Sequence, residues 1–335
     1  MGIKVLKKII ISATIGLTGA FIAACDSGQW QTAEGAAWAT TYHIVYKGTP
    51  ELCDSIQTII DEVNRSLSPF VENSLVSRIN RNETSDIDSL FKKVFDISQN
   101  VNTMSDGAFD PTVAPAINLW GFGYKTDNVE PDSENVDSVK QLVGIGDCMI
   151  QEGKLKKKSA ATEFNFSAIA KGYGCDMIGE MFRRNGVENY MIEIGGEIAV
   201  AGHNSTGTDW NIMIVTPEQD SGSNEPLVVH ITDCGMATSG NYRNFRDTES
   251  GRIGHTIDPS TCRPVDNKVF SATVIAKNTI FADAIATACM VLPPHKALEM
   301  AEKAEDVELL LIANVNGEKY EYLMTDGFKR YINGN

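Results

Sequence analysis

The chain has 335 residues, 42% of them hydrophobic, and a formal charge of −15. That is enough for one large core or two smaller ones, and so acidic a surface argues against polyanions, so nucleic acid is not an expected partner. The seven cysteines, at 25, 53, 148, 175, 234, 262 and 289, form no CxxC and the histidines no cluster, which excludes zinc-ribbon and thioredoxin-like chemistry.

Lys4, Lys7 and Lys8 precede an uncharged apolar run, Ile9 to Ala24, that ends Ile22-Ala-Ala-Cys25. A positive n-region, a short h-region and small residues before the break describe an export signal too short to span as a helix. The site resembles a bacterial lipobox, with Cys25 lipidated as the mature N-terminus. Residues 1–24 therefore read as a lipoprotein signal peptide, 25–36 as a lipidated tether and 37–335 as the folded domain. The expected location is outside the cytoplasmic membrane, lipid-anchored and facing the periplasm. Disulfides among the remaining cysteines are open, although Cys175 and Cys289 sit in apolar helical patterns and read as small core residues.

Along the domain, Ala37 to Tyr46 alternates as a strand. Thr49-Pro50 opens a helix with Leu52, Ile56, Ile59, Ile60, Val63 and Leu67 at helical spacing. Helices are predicted over Ser74–Asn80 and Asp88–Met104, and a turn-rich loop over Ser105–Pro115. Ile117 to Gly123 reads as a short apolar element, Lys125 to Asp137 as an exposed excursion, and Asp147 to Ser159 as a hairpin turning at Glu152-Gly153. Its lysines read as edge protection rather than a basic patch. Phe164–Phe166 is expected to lead from a strand into a helix over Ser167–Arg184, and Asn189–Ala199 to be one strand interrupted at Gly195-Gly196. Strands follow near Trp210–Val215, Leu227–Thr232, Arg252–Ile257 and Val269–Ala276, then a helix from Phe281 to Leu292. A helix near His295–Lys303 and strands at Glu308–Ala313 and Lys319–Leu323 close the chain. Intermixed elements without regular βα alternation predict an α+β fold.

On the Phe281–Leu292 helix, Asp283 and Thr287 are the only strongly polar residues, and their four-residue spacing puts them on one face. A hard cation such as Mg²⁺ would pair that carboxylate and hydroxyl. Alternatively, Asn278 or Thr279 caps the helix, Asp283 answers its positive end and Thr287 merely packs. Ser167-Ala-Ile-Ala-Lys-Gly172 reads as a helix start whose free amides, with Lys171, favour an anion, or as a plain serine cap with a solvated lysine. Ile194-Gly-Gly-Glu197 and Ala237-Thr-Ser-Gly-Asn-Tyr242 would let the backbone approach a ligand closely, or are simply turns. His255-Thr-Ile-Asp-Pro259 carries a histidine suited to accept a proton near neutral pH. No GxGxxG follows a strand and no Walker sequence is present.

Read together, Ser105-Asp-Gly-Ala-Phe-Asp-Pro-Thr-Val, Phe166-Ser-Ala-Ile-Ala-Lys-Gly172, Ile194-Gly-Gly-Glu197, Ala237-Thr-Ser-Gly-Asn-Tyr242, His255-Thr-Ile-Asp-Pro259 and Ala282-Asp-Ala-Ile-Ala-Thr287 resemble, in order, the motifs of the ApbE family, the FAD:protein FMN transferases. The resemblance runs from about Ala37 to the C-terminus. It implies a T-fold-like α+β catalytic domain with mixed, largely antiparallel sheets and packed helices, FAD as substrate and Mg²⁺ as essential ion. By motif position, Asp283, Thr287 and the Ala168 carbonyl would bind the metal. Trp38, Phe70, Ala108, Phe109, Asp110, Asn165, Lys171 and Ile257 would contact FAD, and His255 would be the catalytic base. The family usually carries methionine at Trp38, tyrosine at Phe70, aspartate at Asn165 and glycine at Cys262.

The implied reaction is attack of an acceptor threonine or serine hydroxyl on the FMN-side phosphorus, leaving FMN as a phosphoester and releasing AMP. The implied acceptors are flavoprotein subunits of membrane redox complexes. Two alternatives stay open at this point: an FAD pyrophosphatase using water, and a non-catalytic flavin-binding lipoprotein.

Overall fold

The computed structural model describes residues 28–125, 131–217, 227–240, 245–248, 251–265, 268–315, 317 and 319–333. The signal segment, Cys25, and Asn241 and Tyr242 of the fourth motif lie outside the described residues.

The frame is a sheet whose spatial order places β9 and β14 near its middle. Its strands are β1 (Gln29–Ala37), β2 (Thr40–Gly48), β5 (Tyr190–Ile194), β6 (Glu197–Ala201), β9 (Cys234–Gly240), β14 (Val269–Ala276), β15 (Val307–Ala313) and β16 (Glu321–Met324), adjacent in that order. Every pairing in it is antiparallel. Strand alternation divides the side chains into two cores. Ala272, Val274 and Ala276 of β14 and Leu309, Leu311 and Ala313 of β15 face one way, while Ile275, Leu310 and Ile312 face the other.

The first face is covered by α1 (Leu52–Leu67), α3 (Ser89–Met104), α6 (Ala170–Arg184) and α7 (Thr279–Val291). A knot of Phe91, Phe95, Phe164 and Phe166, with ring centroids 5.2–6.3 Å apart, anchors the loop that leads into α6. The second face is covered by the hairpin β7 (Trp210–Ile214) and β8 (Leu227–Ile231) and by Phe328. A smaller cluster joins Val113 and Ala116 to Ile257 and Cys262.

Several expectations are corrected. Gln29–Ala36, read as part of the tether, form strand β1 together with Ala37, paired residue for residue with β2, so ordered structure begins before residue 37. Composition alone hid it, because its small and polar residues earn their place by pairing at the sheet edge, not by burial. Trp38 and Ala39 are the turn between β1 and β2 rather than part of a strand. Asn189–Ala199 is not one interrupted strand but a hairpin, β5 and β6, whose Gly195-Gly196 turn takes φ of +66° and +106°. Phe164–Phe166 is extended without pairing, and α6 begins at Ala170, three residues after the expected start. Arg252–Ile257 is divided between strands Gly251–Gly254 and Ile257–Asp258. Part of the acidic excursion is helical, over Ser133–Lys140, with Asp132 accepting from Asn135 N at 2.8 Å as its cap. All six described cysteines are free thiols. No helix among the described residues is long and apolar enough to cross a membrane.

Candidate active site

The densest buried charge lies where α6 crosses α7. Asn278 caps α7 by accepting from Phe281 N at 3.1 Å, and Asp176 of α6 accepts from Thr279 N and Ile280 N at 2.9 and 2.8 Å. Since the first-turn amides are satisfied there, Asp283, one turn further on, is not their cap. Instead its Oδ2 accepts from Gly172 N of α6 at 3.0 Å, and the residue is 2% exposed. Oδ1 of Asp283 has no hydrogen bond among the described residues. Thr287, one turn on again, has its hydroxyl 3.4 Å from Ser239 of β9. The helices approach this closely because residue 172 has no side chain: a Cβ there would lie 2.4 Å from Thr279 O.

Lys171 Nζ lies 3.2 Å from Glu197 Oε1 at the start of β6 and 3.4 Å from Ser167 O. Glu197 Oε2 is buried without any hydrogen bond among the described residues. Burial pushes the Glu197 carboxyl up to about 8, with Lys171 opposing and the Asp283 charge adding to the rise. Asp283 is raised by burial as well, against the pull of Lys171 and Gly172 N. Burial alone would lower Lys171, but the two carboxylates outweigh it and hold the ammonium above its ordinary value. One ammonium thus faces two carboxyl groups in a low-dielectric site, where burial disfavours ionising both and a further cation would favour their charged forms.

Most of the other predicted residues sit in turns and loops. Trp38 sits in the β1–β2 turn at φ +52°, its ring so close to Gly174 that a Cβ there would fall 2.1 Å from it. Gly174 is one turn beyond Lys171, which places the indole beside the lysine's helix face. Trp38 Nε1 is buried and has no hydrogen-bond partner among the described residues. Ala168 lies in the turn before α6. Asn165 Oδ1 accepts from Ser167 N at 2.9 Å, and Asn165 N donates to Pro111 O at 2.8 Å, tying this loop to the Ser105–Pro115 segment. In that segment Ala108, Phe109 and Asp110 are all buried. The Asp110 carboxylate accepts from Thr112 N, Thr112 Oγ1 and Ile145 N at 2.8, 2.6 and 2.9 Å, with its pKa raised by burial. The Asp110 carboxyl is thus taken up in shaping the loop.

Phe70 is 64% exposed, edge-on to Tyr124 with ring centroids 6.2 Å apart. The Tyr124 hydroxyl donates to Glu163 at 2.8 Å and accepts from Asn80 at 3.1 Å. His255 stands 6.4 Å from the Phe122 ring, and Ile257 is buried against Val113 and Ala116. Trp120 Nε1 donates to Cys262 O at 2.8 Å, fastening the His255 loop to the same segment.

The sequence model of the ApbE family matches residues 38–311. The chain belongs to the ApbE family. A Vibrio cholerae protein named FAD:protein FMN transferase is 34% identical to it over 321 residues, 92% of this chain and 93% of that protein. An Escherichia coli (strain K12) protein of the same name is 31% identical over 307 residues, 89% and 87% of the two chains. Among solved structures, the flavin transferase ApbE from Vibrio cholerae superposes with a TM-score of 0.82 at 32% identity, covering 90% of this chain and 99% of that one. The apo Pseudomonas stutzeri flavinyl transferase ApbE gives 0.82 at 27% identity, with 91% and 98% covered.

Within this ApbE fold, two sequence readings change. The expected anion site of free amides at Ser167 is corrected: the amides of Ser167, Ile169, Ala170 and Gly172 all have acceptors, and Ser167 caps no helix. Lys171 is only partly exposed and is ion-paired with Glu197. The residue that sequence reasoning passed over is Glu197. It stood in a quoted motif, but only the β5–β6 hairpin brings its carboxylate to Lys171, and a glycine pair before an acid carries no sign of that. Cys262, where the ApbE family usually has glycine, adopts the conformation glycine favours, φ +53°, with its side chain fully buried.

Proposed function

We propose that this protein transfers FMN from FAD to a threonine or serine hydroxyl of an acceptor protein and releases AMP. The observation that carries the reading is the cluster of Lys171 with buried Glu197 and Asp283 at the α6–α7 crossing, in a chain of the ApbE family. Such chemistry is mostly positioning and charge neutralisation, and it needs fixed charges at a pyrophosphate rather than a protein nucleophile.

The residues fit a magnesium ion. Asp283 has an oxygen without a hydrogen bond, Thr287 has only a long contact, and hard oxygen donors suit Mg²⁺. No cage of three or more His, Cys, Asp or Glu side chains is formed among the described residues, which accords with an ion that keeps waters and takes phosphate oxygens as ligands. Asp283, Thr287 and the Ala168 carbonyl would hold it. When bound, Mg²⁺ supplies Lewis acidity and neutralises charge on the pyrophosphate.

The chain's own residues do the rest. Lys171, fixed by Glu197, holds a positive charge beside the pyrophosphate. Trp38 and exposed Phe70 offer ring faces for the flavin or adenine, while backbone of Ala108–Asp110, with Asn165 and Ile257, completes the FAD site. His255 takes the proton of the acceptor hydroxyl. That oxygen bonds to the FMN-side phosphorus as the P–O bond to the AMP phosphate breaks, and AMP leaves with the electron pair.

The Lys4–Cys25 segment supports export and a lipid anchor at Cys25, facing the periplasm, where flavoprotein subunits of membrane redox complexes would be the acceptors. The test is incubation with FAD, Mg²⁺ and threonine-containing acceptor peptides, with mass analysis for added FMN. Asp283→Ala is expected to abolish the addition while leaving the fold intact. Mg²⁺-dependent transfer retained in that variant would refute the metal assignment, and free FMN without any modified peptide would make the enzyme a pyrophosphatase.

A further inference from the structure

The transfer reading requires a protein hydroxyl to reach a site built deep between α6 and α7. The sheet has a feature suited to delivering one. β1 is an edge strand, paired among the described residues with β2 alone. It is nine residues long, roughly 30 Å when extended. Natural edges of that length are usually blunted by lysine, proline, a bulge or a covering element. β1 has none of the first three: its sequence is Gln-Trp-Gln-Thr-Ala-Glu-Gly-Ala-Ala, and its register with β2 is unbroken. The opposite edge, β16, is only four residues long.

The hairpin geometry fixes which backbone groups of β1 are unused. Trp38-Ala39 is a two-residue connection, so Ala37 and Thr40 are the closing hydrogen-bonded pair and bonded pairs recur every second residue. The other side of β2 agrees. Lys47 N donates to Asn189 O and Thr41 O accepts from Gly195 N, so odd-numbered β2 residues bond to β5, not to β1. Trp30, Thr32, Glu34 and Ala36 therefore aim their N–H and C=O groups away from the sheet. Thr32, Glu34 and Ala36 are exposed, and Ala36 carries only a methyl group at this edge. This edge ends in Trp38, whose ring packs on Gly174 one turn from Lys171.

We infer that β1 is the docking edge for the acceptor: an extended segment of the acceptor protein adds as a further strand along Trp30–Ala36 and so carries its threonine or serine to the Trp38 end, beside Lys171. Main-chain pairing would supply affinity with little demand on acceptor sequence. This rests on the transferase reading.

The test uses the full chain, FAD, Mg²⁺ and a pool of peptides with one central threonine between randomised flanks, read by FMN mass addition. Thr32→Pro removes one outward N–H and obstructs a neighbouring strand without touching the β1–β2 bonds, and edge positions of this kind tolerate proline. It is expected to lower kcat/KM for the peptides about tenfold, the effect of one lost backbone hydrogen bond and its steric block, while FAD binding followed by flavin fluorescence is unchanged. Thr32→Ala, which keeps the N–H, should match the unsubstituted chain. Independently, saturating peptide should slow amide exchange at Trp30, Thr32, Glu34 and Ala36 of the unsubstituted protein. Unchanged kcat/KM in Thr32→Pro, protection elsewhere, or protection of these amides before peptide is added would each overturn the docking edge. If the unsubstituted chain modifies no peptide at all, the transferase reading itself fails, and the docking edge with it.

Discussion

Gly172→Ala probes the α6–α7 crossing at its tightest point. The added Cβ would lie 2.4 Å from Thr279 O and 2.8 Å from Asp283 Cβ. Neither can rotate away, since one is backbone and the other is fixed to it, so the helices must part by about 1 Å to restore ordinary contact. Overpacking of this kind costs about 1–3 kcal/mol. The separation also strains the 3.0 Å bond from Gly172 N to Asp283, and a hydrogen bond to a carboxylate contributes about 1.5–3 kcal/mol. Together the loss should reach roughly 3–6 kcal/mol, a large fraction of a domain's stability. Urea denaturation should show a lower midpoint with an unchanged slope, and FMN transfer should fall at temperatures where the variant is still folded, because Asp283 has moved. An unchanged midpoint with full transfer activity would refute the claim that this contact sets the position of Asp283.

Two further outcomes follow from buried groups. Glu197 has a folded pKa of about 8, well above its ordinary value, so its contribution to stability is complete below the unfolded value and is lost as pH rises through 8. Urea midpoints in the absence of added cation should therefore fall across that window, and Glu197→Gln should flatten the fall; an equally steep fall in the variant would show that another group is responsible. Cys262→Gly relieves a left-handed backbone but empties a buried side-chain site, so the two effects should cancel to within about 1 kcal/mol. Cys262→Val, branched at φ +53°, should be clearly less stable, which a thermal melt would show.

Local pattern made much of the architecture legible. The helical spacing of Ile56, Ile59, Ile60 and Val63 matches their burial in α1, and Val269–Ala276 is a strand with the expected bounds. What stayed hidden was set by partners distant in sequence. β1 has little apolar content and is a strand because β2 holds it. α6 starts late because Phe166 O takes the amides of Ile169 and Ala170, and Ser167 N turns to Asn165. In the site, the spacing of Asp283 and Thr287 gave a shared helix face. It could not show that Gly172, 111 residues away, would bind the carboxylate, or that Lys171 would lie against Glu197.

The α6–α7 pair also bears on how the protein can move. Asp176 grips the first turn of α7, and Gly172 grips its second through Asp283, so neither helix can slide or rotate past the other without breaking several bonds at once. The floor of the site is in effect a splint. In the proposed site, whatever adjustment ligand entry demands must be absorbed outside this pair, in connecting segments such as the Trp38 turn. Substitutions there should alter the rates of entry and exit, whereas changes within the splint should alter whether the site exists at all.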